Sequence, residues 1–412
     1  MPWKASALAI LTLLYLYDLL LLFLELRSAK NPIPENVRDV YDRETYLKWK
    51  AYHREKCRLG AVSRTLGFLP DFLLILFNAY AAFARLFPDT AFWQLFGVLL
   101  LSAAASLIQL PAAWYGTMVV EERYGFNRST KKTFWLDQGK SFILSFLIMV
   151  GIGCLLMGIH QTLGDWLILV FAGAMTAIIL AVSFLYPFFS RIFNKFTPLE
   201  EGDLRNRLIG LLEKNGYRVR AIQVMDASRR TTKTNAYFTG FGRMKTIVLY
   251  DTLVRAMTTE EICAVFAHEL GHGLHRDTLK NQLLSFFRIA VLAVLAWLTL
   301  RTASIFPAFG FPGVNYGFAL LLIMTVEFAL ISPLFGLAAN AHSRRAEYRA
   351  DAQAVKEGFG DALVSALKTL ARENFSDLSP SPLLVKLEYS HPTLSRRIAA
   401  IENRAGGPPS AE

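Results

Sequence analysis

The sequence predicts a mainly α-helical integral membrane protein, with about seven spanning helices and a soluble part that carries a few short strands. Three observations carry that expectation. Of 412 residues, 53% are hydrophobic and only 19% charged, whereas soluble domains hold about a quarter charged residues. The apolar residues gather into about seven stretches, each near the roughly 20 residues that a bilayer core demands of a helix. Polarity rises after Ser190 and again after Asn340, which marks two soluble segments. An ordinary soluble domain, a disordered chain and a coiled coil are thereby excluded.

The spans run near Ala5 to Leu26, Leu66 to Phe87, Phe92 to Val120, Phe142 to Leu163, Trp166 to Phe189, Leu283 to Phe306 and Tyr316 to Ala339. The first is too long for the apolar part of a signal peptide and no small-x-small cleavage site follows it, so it reads as a retained anchor. With seven spans, Arg27 to Thr65, Glu121 to Ser141, Ser190 to Gln282 and Asn340 to Glu412 share one side of the membrane. These four are long and basic, and the opposite links are short, so the asymmetry of cations predicts that the long segments face the cytoplasm. The net charge of +11 is read in the same way, as attraction to anionic lipid, with no nucleic acid as partner. Cys57, Cys154 and Cys263 fit neither a disulfide framework nor a paired-cysteine metal site and read as free thiols.

Between the spans, Leu199 to Asn215 has helical periodicity, Val219 to Met225 and Thr246 to Tyr250 look like short strands, and Asn235 to Phe238 offers a third. The chain therefore divides into spans one to five with their basic loops (1–192), a first soluble part (193–282), spans six and seven (283–339), a second soluble part (340–402) and a tail (403–412). Gly406-Gly407-Pro408-Pro409 predicts disorder in that tail. Asp18, Gln109 and Glu327 are polar outliers within spans, and their cost in hydrocarbon predicts that they face an interior or a partner group.

The sharpest local signal is His268-Glu269-Leu270-Gly271-His272. Thr258 followed by Glu261 is a capping box that starts a helix, and no proline interrupts the run to His272. Helical spacing then projects His268 and His272 from one face, where their imidazoles can share one Zn²⁺, with Glu269 beside them to take a proton from water. Two histidines on a solvated helix face remain the plain alternative. A catalytic zinc site usually takes a third protein ligand. The extended pattern with a third histidine fails, because Thr278 stands in that place and His275 where its glycine belongs. A carboxylate from another helix is the remaining route. Glu347 and Asp351 lie four apart after the seventh span, so Glu347 can ligate while Asp351 accepts the other ring N–H of a ligating histidine. Ion pairs among Arg344, Arg345, Glu347, Arg349 and Asp351 on an exposed helix are the competing account.

Taken together these residues resemble the type I CAAX prenyl endopeptidases, polytopic membrane zinc metalloproteases of the gluzincin type. The resemblance covers nearly the whole chain. It is carried by His268 to His272, Ser343 to Asp351, Thr234 to Gly240, Ile247 to Leu253 and Tyr389-Ser390-His391-Pro392, in the family's order. The family implies seven helices around an intramembrane chamber, closed on the cytosolic side by a zincin-like protease domain whose two parts are 193–282 and 340–402. It implies one zinc held by His268, His272 and Glu347, with Asp351 behind them and Glu269 as general base. Asn235 and His391 are implied to contact substrate around the scissile bond.

Further expectations rest on that resemblance. Asn235, with Ala236 and Tyr237, would bind an extended peptide added to an exposed strand edge, against the alternative of an asparagine in a turn beside two core aromatics. His391 would donate to the carbonyl oxygen under attack, where unaided it reads as structural. Arg397 is counted among the substrate contacts, a solvated cation being the alternative. The implied chemistry is cleavage after a prenylated cysteine in a C-terminal Cys-aliphatic-aliphatic-X tail, on a peptide or protein substrate. A heat-shock-type membrane metalloprotease acting on misfolded membrane proteins, and a transporter or channel with a decayed metal site, are the competing functions. A monomer is expected, in a bacterial inner membrane rather than the endoplasmic reticulum, because the chain shows no inserted loops or retention signal.

Overall fold

The structure is a computed structural model that describes residues 2–239 and 246–405. Its first half is a succession of long helices: α1 (Pro2–Ser28), α2 (Arg43–Leu76), a short α3 (Ala79–Ala84), α4 (Ala91–Tyr115), α5 (Lys131–Leu163) and α6 (Leu167–Phe193). A soluble segment follows with β1 (Phe196–Pro198), α7 (Asp203–Lys214), β2 (Ala221–Met225), β3 (Ala236–Thr239), β4 (Thr246–Tyr250), α8 (Asp251–Ala256) and α9 (Thr259–Leu274). The chain then returns through α10 (Asp277–Arg301), α11 (Ile305–Ala308), α12 (Tyr316–Leu322) and α13 (Phe328–Lys356), and closes with α14 (Gly360–Glu373), α15 (Pro382–Glu388) and α16 (Leu394–Ala405).

Six helical runs among the described residues are long and apolar enough to cross a bilayer. The 27-residue α6, with a sequence as apolar as theirs, brings the count to the seven expected. Two spans depart from the reading of the sequence in an instructive way. The second begins well before its apolar part, at Arg43, because Asp42 caps the helix by accepting from the Thr45 N–H and the polar residues that follow are good helix formers. It stops at Leu76, earlier than Phe87, because Asn78 takes a left-handed conformation (φ 51°) that ends one helix and opens α3. The seventh span does not end at Ala339. A π-helical turn at Ile323–Glu327 joins α12 to α13, and the helical run extends over 41 residues, Tyr316–Lys356. At 1.5 Å per residue that is about 60 Å, twice the bilayer core, so the element leaves the membrane as one rod.

The polar outliers all have partners. Asp18 lies 3.8 Å from Arg64, Gln109 donates to the Ser63 carbonyl at 2.9 Å, and Glu327 accepts from the buried Thr299 hydroxyl. Between the spans lie apolar cavities. One of about 540 Å³ is bounded by α2, α4 and the π-helical turn, with Asp71 and Thr325 among its few polar walls. Cavities of about 220 and 200 Å³ lie between α4 and α5.

In the soluble part the strands form one mixed sheet in the order β1-β2-β4-β3, with β2 and β4 parallel and both outer pairs antiparallel. β1 escapes a sequence reading because it is three residues long, ends in Pro198 and directly follows a span. The central β4 buries Ile247 and Leu249 against α9 and α7, in a core with Leu208, Phe266 and Leu270. α16 runs to Ala405, three residues into the stretch expected to be tail. Residues 406–412, with the Gly-Gly-Pro-Pro run, lie outside the described residues, as does Gly240 of the Thr234 to Gly240 motif.

α9 crosses α13 at very short range. A Cβ on Gly271 would stand 2.8 Å from the Ala350 Cα and 3.1 Å from the Gln353 Cβ, closer than packed carbons approach. Backbone is in the way, so no side-chain rotation relieves it. Gly271→Ala is therefore expected to cost about 1–3 kcal/mol by overpacking, read as a lower thermal midpoint in detergent. An unchanged midpoint would mean that the two helices can part freely.

Candidate metal centre

The histidine pair sits where local sequence and packing both fix it. The Thr258 Oγ1 accepts from the Glu261 N–H at 3.3 Å and the Glu261 carboxylate accepts from the Thr258 N–H at 2.8 Å, which closes the expected capping box. Ser365 on α14 donates to the other Glu261 oxygen at 2.6 Å and ties the helix start to its neighbour. From Glu261 to His268 every residue of α9 is buried. The last turn then presents His268 and His272 with ring centroids 4.9 Å apart and planes at 89°.

Glu347 and Asp351 come from α13, and both are buried, at 3% and 0% exposure. The ion-paired solvated helix is thereby excluded for these two, while Arg345 is exposed as that account required. The His268 Nε2 lies 3.6 Å from one Glu347 oxygen and the His272 Nε2 3.3 Å from the other. One donor atom from each of the three residues falls within 4.8 Å of the other two. Each Nδ1–H is spent on a carboxylate: His268 donates to Asp351 at 2.9 Å and His272 to Asp277 at 3.1 Å. Both imidazoles therefore turn their Nε2 atoms toward Glu347.

This arrangement fits a divalent metal on its own terms. The Glu347 Oε2 is buried and has no hydrogen bond. Its nearest cation, the Arg397 Nη1, is 3.1 Å away as an ion pair only. Two buried carboxylates, Glu347 and Asp351, face one buried guanidinium, Arg397. The remaining negative charge calls for a further cation, a place that a protonated His272 or a metal ion can fill. Burial alone would lower the pKa of His272, but its hydrogen bond to Glu347 and the charges of Glu347 and Glu269, with Asp277 behind them, raise it to about 9. Burial pushes the Glu269 carboxyl above its usual range; the charges of His268 and His272 oppose this and that of Glu347 adds to it.

Arg397, expected among the substrate contacts, lies within the cluster itself. It is 8% exposed, and its guanidinium holds both Asp351 oxygens, at 2.9 and 2.6 Å, beside Glu347. The fork is thus turned toward the two buried carboxylates of the cluster. His391 lies at the rim, exposed, with its Nε2 3.4 Å from the Glu347 Oε1. The Ser390 hydroxyl meets its Nδ1 at 2.8 Å. With its proton on Nε2, the ring accepts from the serine at Nδ1.

Asn235 is exposed at the start of β3, an outer strand of the sheet that packs beside α9. Its carbonyl accepts from the Tyr250 N–H at 3.0 Å and its side-chain oxygen from the Ala236 N–H at 2.9 Å. The Asn374 amide grips Thr234 by both backbone groups, at 3.0 and 3.1 Å. Ala236 and Tyr237 follow on β3, half-buried.

Sequence reasoning missed Asp277 and its partner Arg349, which donates to the second Asp277 oxygen at 2.9 Å. The aspartate stands five residues after His272, which in an unbroken helix is about 140° away around the axis. A left-handed Arg276 (φ 56°) breaks the helix and folds the aspartate back. A second group of potential ligands, Glu25, His53 and Cys57, is also drawn together. There the His53 Nε2 already donates to the Glu25 carbonyl at 2.8 Å and its ring stacks on Trp49, which makes it a structural histidine.

Comparison with known proteins agrees with this geometry. Residues 23–195 match the family described as CAAX prenyl protease N-terminal, five membrane helices, and residues 198–405 match Peptidase family M48. A CAAX prenyl protease 1 homolog of Arabidopsis thaliana is 31% identical, over 97% of this chain and 98% of its own length. The CAAX prenyl protease 1 of Saccharomyces cerevisiae is 30% identical over 91% of this chain and 90% of its own. The crystal structure of S. mikatae Ste24p superposes with a TM-score of 0.89 at 29% identity, covering 98% of this chain and 99% of that one. The seven long helices around their apolar cavities, with the small sheet and the His-His-Glu cluster at one end, are thus those of a multi-pass membrane metalloendopeptidase, and the chain belongs to Peptidase family M48, with the CAAX prenyl protease N-terminal region preceding it.

Proposed function

We propose that this protein is a zinc endopeptidase whose substrates are peptides ending in a prenylated Cys-aliphatic-aliphatic-X tail, cut after the cysteine at the cytosolic face of the membrane. The observation that carries the proposal is the meeting of His268, His272 and Glu347 within 4.8 Å, beside Glu269, in a chain that also holds apolar cavities between its spans. The names of the relatives supply the substrate class. An apolar space of about 540 Å³ has the character that an isoprenoid chain prefers to water. The cytosolic side follows from the long basic segments, on which all these residues lie.

The metal would be held by the Nε2 atoms of His268 and His272 and by the Glu347 carboxylate, and it would supply Lewis acidity toward water and the scissile carbonyl. The rest of the reaction falls to the chain itself. Glu269 takes a proton from the attacking water and returns it to the nitrogen of the departing peptide. Its raised pKa brings its proton affinity closer to that task. The His391 Nε2–H donates to the carbonyl oxygen as negative charge grows on it. The outer edge of β3 offers main-chain groups to an extended substrate, and Asn235 offers its amide. Asp351 and Asp277 hold the two imidazoles in one tautomer and one orientation. No covalent intermediate is required.

Glu269→Gln is expected to keep its metal and lose turnover by roughly 10²–10⁴-fold, measured with a farnesylated Cys-aliphatic-aliphatic-X peptide beside its unmodified twin. Equal turnover of the two peptides would remove the lipid from the substrate definition, and full activity of the variant would remove the base. Glu347→Ala should lose bound zinc on dialysis, as metal analysis of the purified protein reads directly. Asp277→Ala should weaken zinc binding about 10- to 100-fold, with Asp277→Asn intermediate because its amide oxygen can still accept from the ring. Zinc must also displace the proton that His272 holds up to about pH 9. Apparent affinity should therefore fall as pH is lowered, by up to about tenfold per unit. Chelator competition between about pH 6 and pH 9 measures this, and a flat profile would mean that His272 binds zinc without giving up a proton.

A further inference from the structure

His391 is itself exposed, just beyond a short helix, yet its place over Glu347 is held from α13. Asn340, Arg344, Glu347 and Asp351 recur on that helix at intervals of four, three and four residues, so they line one face. The upper pair builds the metal centre. The lower pair takes hold of α15, the seven-residue helix that leads into Tyr389-Ser390-His391.

The contact falls on the C-terminal end of α15, where the Val385 carbonyl accepts from the Tyr389 N–H at 3.3 Å and the carbonyls after it run out of helical partners. The Arg344 Nη1 donates to the Val385 carbonyl at 3.0 Å and to the Tyr389 carbonyl at 2.6 Å, and its Nη2 reaches the Lys386 carbonyl at 3.4 Å. Asn340, one turn earlier, donates to the Leu387 carbonyl at 3.1 Å. Four consecutive or near-consecutive acceptors are thus satisfied by two side chains, and the cation stands at the negative end of the helix dipole. Two residues beyond the last of these carbonyls, the His391 Nε2 arrives 3.4 Å from the Glu347 Oε1.

We propose that Arg344, assisted by Asn340, is a positioning residue for the reaction: it fixes His391 over the metal centre by capping α15, from the same rigid helix that supplies Glu347. The idea rests on the hydrolase reading and on His391 serving the scissile carbonyl. Arg344 touches neither metal nor substrate. Its loss should misplace the donor without disturbing the ligands, and a displacement of about 1 Å costs up to 10²-fold in rate.

The decisive measurement is a double-mutant cycle on the full-length protein with the farnesylated peptide. Arg344→Met should lower kcat roughly 10- to 100-fold with zinc affinity unchanged by chelator competition. In a His391→Ala background the same substitution should have little further effect, because the group it positions is gone. Additive losses in the double mutant would overturn the proposal. Arg344→Lys, which keeps the charge but not the fork, should recover part of the rate, and Asn340→Ala serves as a milder variant should Arg344→Met fold poorly. Hydrogen exchange reads the tie without turnover. Amides at 387–391 should lose protection in Arg344→Met while those of α9 keep it, and unchanged protection would equally defeat the proposal. Absence of any Glu269-dependent hydrolysis by the wild-type chain would fail the hydrolase reading instead, leaving the exchange result to decide the tie alone.

Discussion

The molecule depends on how closely two helices cross. α9 brings two imidazoles and α13 brings one carboxylate, and they meet because Gly271 lets the backbone of one helix lie against Ala350 of the other. A wider crossing would leave the His-His-Glu atoms too far apart to share an ion. The close approach also buries Glu347 and Asp351, which commits the fold to neutralising them. Arg397 and the ring N–H groups answer that demand, so packing comes first and the electrostatic network is built to tolerate it.

The network has a repeated plan. Each imidazole passes its Nδ1–H to an aspartate and each aspartate is held by an arginine, through Asp351 and Arg397 on one side and Asp277 and Arg349 on the other. The two chains of contact come from different parts of the sequence, and only one of them is fully enclosed. Asymmetry of this sort suits a site that must be rigid toward the protein core and accessible along the rim where His391 and β3 lie.

Much of this was legible in the residues. The spans declare themselves by length and hydropathy, the histidine pair and the Glu347-Asp351 pair by helical spacing, and the start of α9 by its capping box. Features that depend on a local break in regularity were not legible. Asp277 reaches His272 only because Arg276 turns left-handed, and no periodicity announces that. The second span ends early for the same kind of reason, at Asn78. Arg397 reads equally well as solvent-facing or buried until α16 is packed, since its helix is amphipathic and its partners lie on α13. The competing account of a decayed site in a transporter loses its footing once the donor atoms, their orienting aspartates and an unbonded buried carboxylate oxygen converge.

The order of residues along the chain adds one more consequence. The imidazoles are synthesised before the last two spans, the third ligand only after them, and Arg397 in the final described helix. While the ribosome is still at work, and the first spans are already settling in lipid, the nascent polypeptide holds a histidine pair with neither its carboxylate nor the guanidinium that balances the cluster. The centre can thus be completed only after the chain has been made through its last span and beyond.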